Sequence, residues 1–406
     1  LRVFSVINHK NLHIFLKFCN GKPLLLHFYA NSVKSARIMS IKNKQDDLLY
    51  WIALKQVEGV GNVFYKRLIS SFNTARNVFS ASYDELMQVE GLSQTVANNI
   101  KQFDNFSKAE DELYRLERHS IKIITLSDEL YPPLLHQIDD PPPFLYAKGK
   151  LDITLQSPCI AVVGTRFPSP YGKEVTEEIT LALVKEGLTI VSGMAKGIDS
   201  IAHKTAIANA GKTIAVWGNG INKVYPLENK QLAQGIEKHG LILTEYPLDT
   251  PPLEVNFPER NRIISGMSIA VVVTEASLNS GTMITVSHAL DQGREVFAVP
   301  GQIYSMMSQG TNRLIKHGCG VVDSVDSFIT EIKALLPSRT TKKETKLDIP
   351  EPYLKVLSVL SSKPVDLDTI IARLKFDTAK VMSILTEMEL NGIVKQLPGK
   401  QFIKTE

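Results

Sequence analysis

From Ile160 to Asp323 the chain alternates short apolar runs with amphipathic stretches, and a polar turn, usually bearing glycine, follows most of the runs. The runs are IAVVG (160–164), LTIVSG (188–193), KTIAVWG (212–218), LILTEY (241–246), IAVVVTEA (269–276), EVFAVPG (295–301) and a shorter GVVD (320–323). Each is apolar or β-branched nearly throughout, as strands buried on both faces of a parallel sheet are. Strands and helices that alternate this way wind into an open α/β sheet with helices on both faces. Ligands of such sheets bind beyond the carboxyl ends of the strands. The residues at those ends are Gly164-Thr165-Arg166, Ser192-Gly193-Met194-Ala195-Lys196-Gly197, Gly218-Asn219-Gly220, Glu245-Tyr246-Pro247 and Ser280-Gly281-Thr282. Glycine, hydroxyl and cationic groups together suit phosphate, so the sequence predicts a phosphorylated ligand.

With 406 residues the chain is long enough for two or three domains. Its 44% hydrophobic and 22% charged residues describe a soluble globular protein, and no apolar run approaches a membrane span. Cys19, Cys159 and Cys319 are odd in number and far apart, which indicates neither a disulfide framework nor a zinc site and suits a reducing cytoplasm. The formal charge of +4 is modest, so a polyanion site has to be a local cluster.

Around the sheet, the chain divides into further segments. Residues 1–38 lack periodicity and caps and are expected to be a non-native or disordered extension, with natural translation starting at Met39. A helical domain is expected over 39–119. In it Val57-Glu58-Gly59-Val60-Gly61 and Val89-Glu90-Gly91-Leu92-Ser93 each precede a helical pattern, like the turns of tandem helix-hairpin-helix motifs. Such turns present backbone N–H groups to phosphate, or simply cap an all-α packing module, and both readings stand. Residues 120–158 are rich in proline and read as a stiff, extended lead-in to a sheet domain that ends near 336. A polar linker is expected over 337–349. Over 350–406 three helical patterns precede a two-stranded hairpin, which suggests a winged helix that binds duplex DNA or protein.

Three features are decoys. Gly211-Lys212-Thr213 resembles the end of a P-loop, but a strand follows it where a P-loop requires a helix. The first strand turn lacks the later glycines of a dinucleotide fingerprint, so neither a nicotinamide nor a flavin cofactor is expected. Asp199 and His203 lie four apart on one helix and read as a hydrogen-bonded structural pair rather than a metal site.

The cationic candidates are Arg166 after the first strand, Lys196 in SGMAKGID, and Arg260 and Arg262 in FPERNR, read as lying around a fourth turn. Ser280-Gly281-Thr282 opens the helix after the fifth strand as an anion cradle. The alternative for Arg166 is a pairing with Glu245 or Glu275 that only supports the fold.

The stretches VVGTRFPSPYG, IVSGMAKGIDSIAH, TIAVWGNGINKVYPLEN, LILTEYP, FPERNRIISGMS, EASLNSGTMITVSHAL, GREVFAVPG and GTNRLI occur in this order and cover most of 160–315. On them the chain closely resembles the DprA/Smf family of bacterial DNA-processing proteins. The resemblance implies a Rossmann-like, mostly parallel sheet with an N-terminal all-α domain, helix-hairpin-helix or SAM-like, and a C-terminal winged helix. It implies a homodimer that binds single-stranded DNA, protects it, and loads the recombinase RecA onto it during natural transformation; with the motifs above, no cofactor or metal is expected. It also implies DNA contacts at Arg166 and Lys196, with Lys173, Arg260 and Arg262 as neighbours. The phosphate site expected at the sheet edge thus comprises Gly164, Arg166, Lys173, Ser192, Gly193, Lys196, Gly197, Arg260, Asn261, Arg262, Ser280, Gly281 and Thr282. The alternative is a related Rossmann-like phosphoribohydrolase. Its signature carries a catalytic carboxylate where this chain has Thr285, which removes the acid/base that hydrolysis needs, so no enzyme is expected.

Overall fold

The computed structural model describes residues 47–151, 155, 157–336, 351–360, 364–374, 376–390, 394–397 and 399–404. The expected extension over 1–38 and the linker over 337–349 lie outside the described residues. The chain splits into two compact units, the first ending at Leu336.

The first unit is built on a nine-stranded sheet. Its strands are β1 (Lys122–Thr125), β2 (Phe144–Gly149), β3 (Cys159–Val163), β4 (Thr189–Ser192), β5 (Thr213–Val216), β6 (Leu241–Thr244), β7 (Ala270–Val273), β8 (Glu295–Ala298) and β9 (Gly320–Val321). Their spatial order is β1-β2-β6-β5-β4-β3-β7-β8-β9. From β6 to β9 all pairings are parallel, and each of these seven strands coincides with an apolar run of the sequence. The lead-in departs from expectation. Far from being only an extended connector, it contributes β1 and β2, which add antiparallel to the edge at β6.

Successive side chains along a strand face opposite sides of a sheet, and here each side has its own core. Ile160 and Val162 of β3, with Ala270 and Val272 of β7, pack among Ile179, Leu183, Ala202, Phe328 and Ile332. Those partners come from α8 (Pro170–Lys185), α9 (Ile198–Ala208) and α14 (Val325–Leu335). Ala161, Val163, Val271 and Val273 face the other core, with Ile236, Ile263, Ile264, Val286 and Ala289. These belong to α10 (Lys230–His239), α11 (Asn256–Gly266) and α12 (Thr282–Asp291). Double burial is why the strands read as continuous apolar runs. A short α7 (Pro133–His136) lies in the lead-in, and α13 (Gln309–Lys316) precedes β9.

The N-terminal helices are α1 (47–56), α2 (Asn62–Phe72), α3 (Ala75–Ser80), α4 (Tyr83–Met87), α5 (Gln94–Gln102) and α6 (Phe106–Arg118). The turns α1–α2 and α4–α5 are alike: Gly59 at φ +87° and Gly91 at φ +77° reverse the chain in the left-handed region, which glycine enters freely. The two hairpins also clasp each other. Asn99 Nδ2 donates to the Glu58 carbonyl at 3.1 Å, and Arg67 Nη1 donates to the Glu90 carbonyl at 2.7 Å. The apolar residues of these helices join the core beneath the sheet.

The second unit holds α15 (Glu351–Val359), β10 (Val365–Asp366), α16 (Leu367–Leu374), α17 (Thr378–Leu390), β11 (Val394–Leu397) and β12 (Gln401–Lys404), with strands ordered β10-β12-β11. Val356, Ile370, Val381, Leu385, Met388 and Phe402 form its core. Three helices closed by a hairpin make the expected winged helix.

Candidate functional site

The chain runs outward from β3 through β4, β5 and β6, then returns to place β7 on the other side of β3. Loops leaving β3 and β7 therefore diverge, and a crevice opens at their carboxyl ends. A cleft of about 500 Å³ occupies that place. Of the expected residues, Gly164, Arg166, Arg260, Asn261, Ser280, Gly281 and Thr282 line it.

Arg166 stands exposed on the turn after β3 and makes no ion pair among the described residues. The two carboxylates that could have claimed it are engaged elsewhere. Glu275 accepts from the Ser169 amide at 2.9 Å and the Ser169 hydroxyl at 2.6 Å, at the start of α8. Glu245 holds Arg262 at 2.6 Å.

Arg260 forms the floor, only 4% exposed. Its Nη1 donates to the Gly193 carbonyl at 2.9 Å and also to the Val216 carbonyl, tying together the ends of β4 and β5. Burial pushes its pKa down to about 10, with Asp199 opposing, so it stays charged at neutral pH. Asp199 accepts from the amides of Gly193 at 3.1 Å and Ala195 at 3.2 Å. Burial raises its pKa against the pull of Arg260 and those amides. The expected pairing of Asp199 with His203 is not what forms: His203 Nδ1 meets Thr213 Oγ1 at 2.6 Å. Burial also pushes the His203 pKa down to about 3, which keeps the ring neutral. No group of three metal-ligating side chains occurs among the described residues.

The other expected residues serve differently. The Ser192 hydroxyl is buried and donates to the Val162 carbonyl at 2.7 Å. Gly193 gives its carbonyl to Arg260. Gly197 lies at φ +78°, and a Cβ there would strike the Thr165 carbonyl oxygen, so glycine lets the turns after β3 and β4 pack together. Lys173 is exposed on α8 and does not line the cleft. Lys196 flanks it, in an ion pair with Glu228. FPERNR is not a turn: it lies within α11, whose period of about 3.6 residues sends positions two apart to nearly opposite sides. Arg260 therefore faces the cleft, whereas Arg262 points to Glu245 and to Asp140, 2.9 Å away.

At the far wall Gly281 caps α12 without a side-chain bond, and Ser280 Oγ accepts from the Thr282 amide at 3.1 Å. The positive end of the helix dipole thus adds to the two arginines. Aromatic side chains complete the site, and the phosphate-centred reading of the sequence passed over them. Phe167 is 77% exposed at the rim. Tyr225 stacks on Phe257 with centroids 5.4 Å apart and 29° between planes, and all three rings line the cleft. Their signal was available, since Phe167 and Tyr225 lie in polar, proline-bearing turns just after strands, where a large ring is poorly buried. Thr285, buried on α12, also lines the cleft. The carboxylates lining it are Asp199, held by backbone amides, and Glu254 at the surface. This arrangement can hold phosphates by charge and helix dipole, and flat bases by stacking.

The family profile described as DNA recombination-mediator protein A matches residues 122–333, and that of the DprA winged helix domain matches residues 340–400. The chain is 35% identical over 388 residues to Protein Smf of Synechocystis sp., covering 87% of this chain and 98% of that one. It is 40% identical over 235 residues to the DNA processing protein DprA of Bacillus subtilis, covering 58% and 78% of the two chains. The X-ray structure of DNA processing protein A from Streptococcus pneumoniae superposes with a TM-score of 0.61 at 36% identity, over 70% of this chain and 97% of that one.

Proposed function

The chain belongs to the DNA recombination-mediator protein A family, the DprA/Smf proteins, and on that premise we propose that its cleft binds single-stranded DNA. One observation carries the reading: an exposed Arg166, without an ion pair among the described residues, and a buried, charged Arg260 share a cleft with exposed aromatic rings. Cations and a helix N-terminus engage phosphates without regard to sequence. The rings at Phe167 and Tyr225 give unpaired bases a face to stack on, which a duplex withholds. The resemblance extends the proposal to delivery of the bound strand to RecA during transformation, and to action as a homodimer. The winged helix suits protein contact at least as well as a DNA groove, since Lys380 is the only cation of α17, against Glu387 and Glu389. Lys380 lies over the Phe376 ring at 5.1 Å, and Glu387 and Glu389 on α17 bond Tyr353 and the Gln396 amide. The direct test compares a fluorescent single strand, the duplex of the same sequence and a mononucleotide at one salt concentration. Tightest binding of the single strand is expected, and equal affinity for strand and duplex would overturn the proposal.

A further inference from the structure

Beside the cleft, Lys196 Nζ and Glu228 Oε1 form an ion pair at 2.6 Å. The lysine follows Ala195, and the glutamate stands three residues after Tyr225; both of those neighbours line the cleft. The two partners are not equally free. Next to Glu228, the buried Asn229 side chain donates to the Met194 carbonyl at 2.8 Å and the Ser200 hydroxyl at 2.9 Å. The loop carrying the carboxylate is thereby pinned to the β4–α9 turn. Lys196, 51% exposed, has a flexible four-carbon stem that can swing toward the cleft.

We propose that Glu228 competes with the strand for Lys196 and so holds down single-strand affinity, keeping the lysine until a phosphate of a strand already seated in the cleft displaces it. The inference rests on the reading of the cleft as a single-strand site. Exchanging one exposed ion pair for another is close to neutral in free energy, so Lys196 cannot recruit a ligand alone. It responds only when Arg166 and Arg260 have already brought a chain of phosphates alongside, a condition a mononucleotide does not meet. Binding by Lys196 also sets the Glu228 carboxylate free to regain a cation, which offsets part of the counterion release from the strand.

The test uses the full chain and a fluorescent oligothymidylate titrated across salt concentrations. Glu228→Gln should bind the strand about two- to fivefold more tightly. Its slope of log affinity against log salt should steepen by up to roughly 0.7, one phosphate's worth, while mononucleotide affinity stays unchanged. In a Lys196→Ala background the same substitution should give no gain, because no cation remains to be released. Wild-type affinity and slope in Glu228→Gln would overturn the proposal. So would a gain that persists without Lys196, since Glu228 would then act by plain repulsion. Unaltered binding by Arg166→Ala would remove the cleft reading itself, and the proposal with it.

Discussion

Substituting Arg262 by alanine removes the cation that Glu245 and Asp140 share. Arg262 and Glu245 are both 8% exposed, so the variant leaves a carboxylate buried beneath the N-terminal helices. What remains to it is a weak contact with Asn62 Nδ2 at 3.4 Å and the charge of Lys55, which donates to Asn62 Oδ1 and whose pKa burial lowers. Breaking a buried ion pair from one side costs about 3–5 kcal/mol. At about 2 °C per kcal/mol for a unit this large, the melting temperature should fall by roughly 6–10 °C. Trp51 and Trp217 are both buried, so tryptophan fluorescence follows the transition. Arg262→Lys should fall between, because a lysine keeps the charge but not the fork that reaches Glu245 through Nη2 and Asp140 through Nε. Below the transition, Arg262→Ala should bind single strands with wild-type salt dependence. An unchanged melting temperature with a shallower salt slope would refute this reasoning and return Arg262 to the phosphate site.

Phe167→Ala should weaken strand binding by about 1–3 kcal/mol with the salt slope unchanged, since a stacking platform is lost and no charge is; a titration at several salt concentrations separates the two. Asp199 holds its proton to higher pH in the folded chain than in the unfolded one, because burial raises its pKa. In that window the folded state binds more protons, so this group's contribution to stability declines as pH rises from the ordinary carboxylate range through the folded value. Asp199→Asn should flatten that part of a stability–pH curve measured by denaturant unfolding, and an unaltered curve would show that Asp199 does not govern it.

The parallel sheet was legible because burial on both faces writes itself into the sequence: every residue of β3, β4, β5, β6 and β7 is buried. Strands β1 and β2 escaped notice although FLYAKG is rich in strand formers. Prolines at 132, 133 and 141–143 dominate that segment, and its partner β6 lies about a hundred residues away. Pro258 likewise made FPERNR look like a turn. In the first turn of α11 a proline's missing N–H leaves no helical bond unmade, so the helix starts there, and its period alone separates Arg260 from Arg262. Which of two nearby arginines meets the ligand is fixed by what packs around the helix, and local sequence does not carry that. The ion pair of Lys196 with Glu228 joins residues thirty-two apart and had no local signal either.

The account stands on Arg166 as a phosphate ligand at the switch-point cleft. The most direct measurement is the salt dependence of single-strand affinity for Arg166→Ala beside the wild type. For single strands, each phosphate neutralised contributes roughly −0.7 to the slope of log affinity against log salt. The variant, with the melting temperature of the wild type, should lose that amount together with much of its affinity at moderate salt. A folded Arg166→Ala chain that binds the strand with wild-type affinity and slope would contradict the account.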